Sequence, residues 1–96
     1  EIPGLVTKLE NNYPNPFNPT TTIAFSLAKP GRTSLVIYNL KGQVVKRLVN
    51  GELNAGMHHV VWNGKDGSER NVASGMYFYR LESGNFRSTR KMLLMK

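Results

Sequence analysis

The sequence predicts an all-β protein, an antiparallel β-sandwich of six or seven strands. Three observations predict it. Apolar and polar residues alternate at a period of two in several short segments, as they do in half-buried strands. Turn residues, chiefly Gly, Pro, Asn and Ser, interrupt these segments about every 8 to 12 residues. No segment shows the period of an amphipathic helix, so a sheet must supply the core.

Length and composition exclude several classes of protein. The chain has 96 residues, enough for one domain with a single core. No apolar run approaches the roughly 18 residues of a membrane span, and no cysteine is present for disulfide or thiolate chemistry. The net charge of +7 permits attraction to an acidic surface. The basic residues lack interleaved aromatic residues that stack on bases, so we expect no nucleic-acid partner.

The N-terminal residues form the first boundary. Residues 1–12 mix Pro, Gly, Asn and charged residues and are predicted to be a linker, followed by a sandwich over residues 13–96. The short run Leu5–Leu9 permits a second interpretation, a weak edge strand.

The next residues form a stiff, extended segment that precedes the first strand. Residues 13–19, which we call the proline segment, contain three prolines, and these exclude a helix and favour extended backbone. We expect Tyr13 and Phe17 to anchor the segment. The β-branched run Thr20–Thr22 then suits the start of a strand, which the alternation over Ile23–Leu27 continues.

Five further strands are predicted after the first, over residues 33–39, 43–50, 57–63, 74–82 and 86–95. The strand over 43–50 breaks strict alternation. Val45 and Leu48 should both be buried, yet they differ in parity. A β-bulge near Lys46 and Arg47 would bring both side chains to one face, and bulges favour edge strands.

The alternation also predicts which side chains fill the core. Trp62 is the largest of them, and its face sets the inward direction. The predicted core consists of Phe25, Leu35, Ile37, Val60, Trp62, Tyr77, Tyr79 and Leu81. A second set of apolar residues points the other way: Val36, Val61, Met76, Phe78, Leu93 and Met95. Either part of this outer set docks onto a parent protein, a second copy or a transport component, or some face assignments are wrong by one residue.

No pattern predicts catalysis, a metal or a cofactor. His58 and His59 are adjacent on a strand, so they point to opposite faces and cannot share a metal ion. Ser74 lacks the sequence context of a nucleophile elbow. The loop over residues 63–71 offers oxygen ligands for calcium, but its spacing differs from a calcium loop and it carries two basic residues. We therefore expect a protein that is not an enzyme.

Five blocks of sequence carry a resemblance to a known family. They are Tyr13–Thr21, Leu35–Asn39 with Gly42–Gln43, Ala55–Gly56 and His58 with Trp62–Gly64 and Asp66, Ala73–Leu81, and Lys91–Met92 with Leu94. In this order they resemble the C-terminal sorting domain of type IX secretion cargo. The sequence is also similar to the immunoglobulin-like (Ig-like) module of the flagellar hook-capping protein. The resemblance covers about residues 11–96.

The resemblance implies an Ig-like sandwich that acts as a non-catalytic sorting signal. Such a domain belongs to a larger exported parent protein that reaches the periplasm with an ordinary leader. An outer-membrane translocon recognises the folded domain, and a sortase-type peptidase can remove it while attaching the cargo to the cell surface. The cleavage region would lie within or before residues 1–12. The protein is thus expected to be secreted or held at the cell surface.

The same resemblance assigns sorting recognition to the terminal strand. Its residues are Arg90, Lys91, Met92, Leu93, Leu94, Met95 and Lys96. A competing interpretation is an accessory Ig-like module of a secreted hydrolase, which binds carbohydrate or docks onto its parent enzyme. Carbohydrate binding would require an exposed aromatic row, for which Tyr38, Tyr77 and Tyr79 are the candidates.

Overall fold

A computed structural model describes residues 3–96 as an antiparallel β-sandwich, as the sequence predicts. Its seven strands are β1 (Lys8–Leu9), β2 (Thr21–Leu27), β3 (Gly31–Tyr38), β4 (Val44–Leu53), β5 (Gly56–Trp62), β6 (Gly75–Ser83) and β7 (Phe86–Leu94). Within residues 3–96 there is no helix, and hence none that could cross a membrane.

The strands form two sheets. The small sheet has the order β1-β2-β5, and the large sheet has the order β4-β3-β6-β7. All of the strand pairs are antiparallel. Contacts between β1 and β7 place these two edges on the same side of the sandwich. The edges β4 and β5 therefore lie on the opposite side.

The core lies between the sheets and is centred on Trp62. Its indole is fully buried, with ring centroids 5.7 Å from Phe17 and 5.4 Å from Tyr77. The indole N–H donates to the Lys65 carbonyl at 2.9 Å, so the buried donor is satisfied. Six of the other predicted core residues are also buried: Phe25, Leu35, Ile37, Tyr77, Tyr79 and Leu81. Val60 is an exception, since it packs against the core but is only half-buried.

The sandwich begins earlier than residue 13. Lys8 and Leu9 pair with Ser26 and Phe25 of β2, and the Leu9 side chain is buried in the core. Of the two interpretations of Leu5–Leu9, the structure shows the edge strand for its last two residues, Lys8–Leu9, so residues 8–12 belong to the sandwich. Residues 1 and 2 of the predicted linker lie outside the described residues.

The proline segment is anchored at one of the two predicted aromatic residues. Phe17 is 3% exposed and packs on Trp62, as expected. Tyr13 is 80% exposed, so the prediction that it anchors the segment is wrong. Its backbone instead pairs with Thr22, which turns the Tyr13 side chain to the outer face of the small sheet.

The irregularity predicted in β4 is present. The pairing of β3 with β4 shifts register twice, passing over Leu48 between Val49 and Arg47 and over Val45 between Lys46 and Val44. Two extra residues therefore bracket the predicted bulge position, and both Val45 and Leu48 pack against the core. β4 is an edge strand, where bulges are most easily accommodated.

The second apolar set lies outside the core cluster. Val61 and Met95 are more than half exposed, Met76, Phe78 and Leu93 are half-buried, and Val36 is buried although its strand position faces outward. The set does not form one surface. Val61 is on the small sheet, and the strand residues Val36, Met76, Phe78 and Leu93 are on the large one.

Candidate recognition surface at the C-terminal strand

The predicted recognition residues alternate between core and surface. β7 is an edge strand of the large sheet. Met92 and Leu94 are buried in the core, where no partner can reach them while the domain is folded. Lys91 and Met95 are exposed and Leu93 is half-buried. The folded strand therefore presents its odd-numbered side chains.

The proline segment covers the end of the β7 edge. The Leu93 N–H donates to Asn15 Oδ1 at 3.0 Å. The Phe17 N–H donates to the Leu93 carbonyl at 3.0 Å, and the Met95 N–H donates to the Phe17 carbonyl at 2.9 Å. These bonds form a short parallel bridge between Phe17 and Leu94. The segment thus fixes the backbone that carries Leu93 and Met95.

Arg90 fastens the same strand to the small sheet. Its Nε donates to the Leu9 carbonyl at 2.8 Å, and its Nη1 donates to Asn11 Oδ1 at 2.9 Å. The guanidinium thereby satisfies backbone that β1, an edge strand, would otherwise leave unpaired. Arg90 links the two sheets across the side of the sandwich that contains β1 and β7.

Lys96 is bound through both its backbone and its side chain. Its backbone N–H donates to Ser74 Oγ at 3.0 Å, and its Nζ donates to the Val72 carbonyl. The C-terminal end is therefore held by groups from the loop before β6. Lys96 and Arg90 position the strand, whereas Lys91 is free to meet a partner.

A buried polar cluster supports the start of the proline segment. Asn12 Nδ2 donates to Thr21 Oγ1 at 3.0 Å, and Thr21 Oγ1 donates to the Pro14 carbonyl at 2.8 Å. The Tyr79 hydroxyl donates to the Glu10 carbonyl at 2.8 Å. Burial raises the pKa of Tyr79 above its ordinary value of 10.0, so the phenol stays protonated over a wider range of alkaline pH and can donate this bond.

A shallow depression lies beside the uncovered part of the β7 edge. It measures about 500 Å³ and is lined by Asn11, Asn15, Phe78, Thr89, Arg90 and Lys91. Two amides, a hydroxyl and two cationic groups surround one aromatic side chain. Such a lining suits a polar or acidic peptide segment, because backbone and carboxylate groups can be hydrogen-bonded there.

The outer face of the large sheet is basic around this depression. Arg80 lies 5.2 Å above the ring of Tyr38, and its Nε donates to Thr89 Oγ1 at 3.1 Å. Arg87 pairs with Glu82 at 2.8 Å. The cross-strand neighbour of Phe78 is Lys91, which gives the face an aromatic centre with a cationic edge.

The structure separates the two histidines. The ring of His58 lies 5.2 Å from that of Phe25 on the inner side, and its Nε2 is 2.8 Å from the Asn54 carbonyl oxygen. His59 is exposed on the outer face. In residues 3–96, no group of three or more potential metal-binding side chains occurs.

The loop considered for calcium is closed by its own hydrogen bonds. Asp66 Oδ1 accepts the backbone N–H groups of Ser68 and Arg70 at 2.9 and 3.0 Å, and Asp66 Oδ2 is 3.3 Å from Arg70 Nε. These donors, the Arg70 N–H foremost, hold the pKa of Asp66 below its ordinary value. The carboxylate that a calcium ion would need is already engaged.

The family model for the FlgD Ig-like domain matches residues 11–85 of this sequence. The chain belongs to this family. The predicted relationship to the Ig-like module of the hook-capping protein is thereby confirmed. The matched part of this FlgD-type Ig-like domain ends at residue 85, just before β7, so the candidate surface combines the matched proline segment with a strand beyond the match.

Three solved structures are similar in fold. PorU of Porphyromonas gingivalis, described as dimeric and latent, aligns with 98% of this chain at a TM-score of 0.73 and 17% identity. PorZ of the same organism, described as a surface component of the type IX secretion system, aligns with 97% at a TM-score of 0.63 and 20% identity. FlgD of P. aeruginosa aligns with 77% at a TM-score of 0.61 and 25% identity.

The chain spans only a fraction of these proteins, 10% of PorU, 12% of PorZ and 57% of FlgD. The similarity to PorU and PorZ therefore shows a shared fold. No curated protein matches the sequence.

Proposed function

We propose that this FlgD-type Ig-like domain is the non-catalytic export and sorting module of a larger bacterial protein that uses the type IX secretion system. The sequence blocks over residues 11–96 support the proposal, because they resemble sorting domains in order and position. A fold shared with a surface component of that system also supports it. The parent protein would be secreted or displayed at the cell surface after passing through the periplasm.

One observation carries the proposal: the terminal strand is held as a fixed surface. The proline segment bonds to β7 from outside the large sheet, and Arg90 of β7 bonds to β1 of the small sheet. A translocon that accepts a folded domain can read only groups on its exterior, and an edge strand with exposed side chains is a common form of such a surface. Lys91 and Met95 are exposed there in a defined geometry.

The geometry divides the predicted recognition residues into two groups. Lys91, Leu93 and Met95 face outward and would contact the translocon. The remaining four hold the strand in place: Arg90, Met92, Leu94 and Lys96. Deleting residues 91–96 would remove two core side chains and unfold the domain, so a deletion cannot separate recognition from folding.

Substitutions at exposed positions provide the sharper test. A reporter is fused ahead of residues 1–96 in a host that has a type IX system, and its surface display is measured. We expect Lys91→Glu combined with Met95→Glu to reduce display severalfold while the melting temperature stays close to that of the parent. Lys29→Glu, at an exposed position before β3 and at the other end of the sandwich from Lys91, is the control and should be displayed normally.

Two results would contradict the proposal. Full display of the Lys91→Glu/Met95→Glu variant would show that this surface is not recognised. Retention of the unaltered fusion in the periplasm would favour the accessory module instead. Of its carbohydrate-binding candidates, Tyr77 and Tyr79 are buried in the core and only Tyr38 lies at the surface, so these three do not form an aromatic row.

A further inference from the structure

The strand β5 is an edge strand with one unpaired side. The backbone N–H groups of Glu10 and Tyr13 donate to the carbonyls of Ala24 and Thr22, so the backbone groups of even-numbered β2 residues point away from β5 and towards β1. The backbone groups of odd-numbered β2 residues therefore point towards β5, and their partners there are Gly56, His58, Val60 and Trp62. The backbone groups of Met57, His59 and Val61 point outward, and within residues 3–96 they have no partner.

The other three edges of the sandwich are protected. β4 has two register shifts, and the loop after β5 covers its start through a bond from the Gly67 N–H to the Val45 carbonyl at 2.9 Å. β7 is covered by the proline segment and carries Arg87, Arg90 and Lys91. β1 is two residues long. These features are the usual means of preventing strand addition.

β5 has none of them. Its seven residues, GMHHVVW, contain no proline and no formally charged side chain, and its pairing with β2 is regular. Met57 and Val61 are 61% and 57% exposed on the outer face of the small sheet. An exposed, regular and apolar edge is a site for pairing with another strand.

Within residues 3–96, five of the seven half-buried apolar side chains that pack against the core lie on β4 and β5, and one, Phe86, lies on β7. The core-facing side chains near this edge are only half-buried: Val60, Leu48 and Val49. On the opposite side Leu9, Met92 and Leu94 are completely enclosed. A strand added to β5 would cover apolar surface that the monomer leaves in contact with water.

We propose that β5 pairs with β5 of a second copy of the chain, antiparallel and centred on His59. In this register Met57 of each copy lies opposite Val61 of the other, so the outward side chains form two identical apolar pairs. The six outward backbone groups of each copy bond to those of its partner, since an antiparallel pair exchanges both bonds at alternate residues. The contact has twofold symmetry and closes at two copies.

Charge permits this pairing despite the net charge of +7 on each copy. The arginines Arg80 and Arg87 and the lysine Lys91 lie on the outer face of the large sheet, in the layer away from β5. Lys46 of β4, on the same side as β5, is neutralised by Glu69 at 2.8 Å. Salt at about 0.15 M screens charges over roughly 8 Å. The two pairs of Met57 with Val61 are uncharged and apolar, so we expect association to persist at higher salt.

Sedimentation velocity across a dilution series tests for the dimer. An edge contact of this length is small, so we expect a reversible monomer–dimer equilibrium in the micromolar to millimolar range, at about 4 to 8 kcal/mol of association free energy. A chain that stays monomeric up to millimolar concentration would overturn the proposal.

Two double variants test the register. In Met57→Glu/Val61→Lys, each Glu lies opposite a Lys of the other copy, and the dimer should persist. In Met57→Lys/Val61→Lys, like charges face each other twice, which should weaken association about tenfold or more. Both variants change the same two exposed positions, so equal melting temperatures of the monomers show that folding is unaffected.

The comparison of the two variants decides the outcome. Equal dimerisation of both would show that the contact is elsewhere or in another register, and the proposal would be wrong. The proposal is independent of the sorting role, because neither variant changes β7. Failure of dimerisation therefore leaves the expected result of the display assay unchanged.

Discussion

On one side of the sandwich β1 and β7 lie together, and the proline segment pairs with the end of β7. On the other side β4 and β5 are edges without a covering segment along most of their length. We call these the covered side and the open side. Core residues of the covered side, such as Leu9 and Leu94, are fully enclosed, whereas Val60 and Leu48 of the open side are half-buried.

The difference shows that contacts between residues distant in sequence can cover one side of a sandwich and leave the other side open. Asn15, Phe17 and Arg90 join the two ends of the chain, and they fix the strand that we propose a translocon reads. On the open side the loop after β5 bonds to the start of β4 at Val45, but within residues 3–96 no backbone group bonds to the outward groups of Met57, His59 and Val61, where we propose a second copy.

Replacing Phe17 by alanine should destabilise the domain most. Its ring is buried against Trp62, and truncating a buried Phe costs about 3 to 5 kcal/mol of unfolding free energy. Val61→Ala on the open side removes an exposed side chain and should change the unfolding free energy by about 0.5 kcal/mol or less. Urea denaturation of both variants provides the measurement. A cost below about 1 kcal/mol for Phe17→Ala would mean that the proline segment does not contribute to the core.

A smaller effect is expected for Arg90. Arg90→Ala removes the bonds to the Leu9 carbonyl and Asn11, and we expect a loss of about 1 to 2 kcal/mol. Arg87 is the matched control, since it is an arginine on the same strand in an exposed pair with Glu82. Arg87→Ala should cost about 0 to 1 kcal/mol. Equal losses in the two variants would show that the link from β7 to the small sheet adds no stability.

Much of the fold can be predicted from the sequence because alternation encodes the face of each strand residue. It identified the core around Trp62 and the outward position of Phe78. The conflict in parity between Val45 and Leu48 revealed an irregular β4, and the structure resolves it with two register shifts. In each case the signal is local, within one strand.

The order of the strands within each sheet, and hence which strands are edges, cannot be predicted in this way. Alternation assigns Val60 to the inner face, but it does not show that β5 is an edge strand, which is why Val60 is only half-buried. The pairing of Asn15 and Phe17 with Leu93 joins residues more than 70 positions apart, and no periodic pattern marks it. The terminal residues could thus be identified by resemblance, but their division into buried and exposed groups required the structure.

Amide hydrogen exchange compares the two sides most directly, because it reports the opening of each backbone hydrogen bond separately. In dilute solution we predict strong protection for the N–H groups of Phe17, Leu93 and Met95, and little protection for those of Met57, His59 and Val61. Raising the protein concentration should slow exchange at the β5 positions alone. Rapid exchange at Phe17 and Met95, comparable with that at β5, would contradict the account of a fixed C-terminal strand.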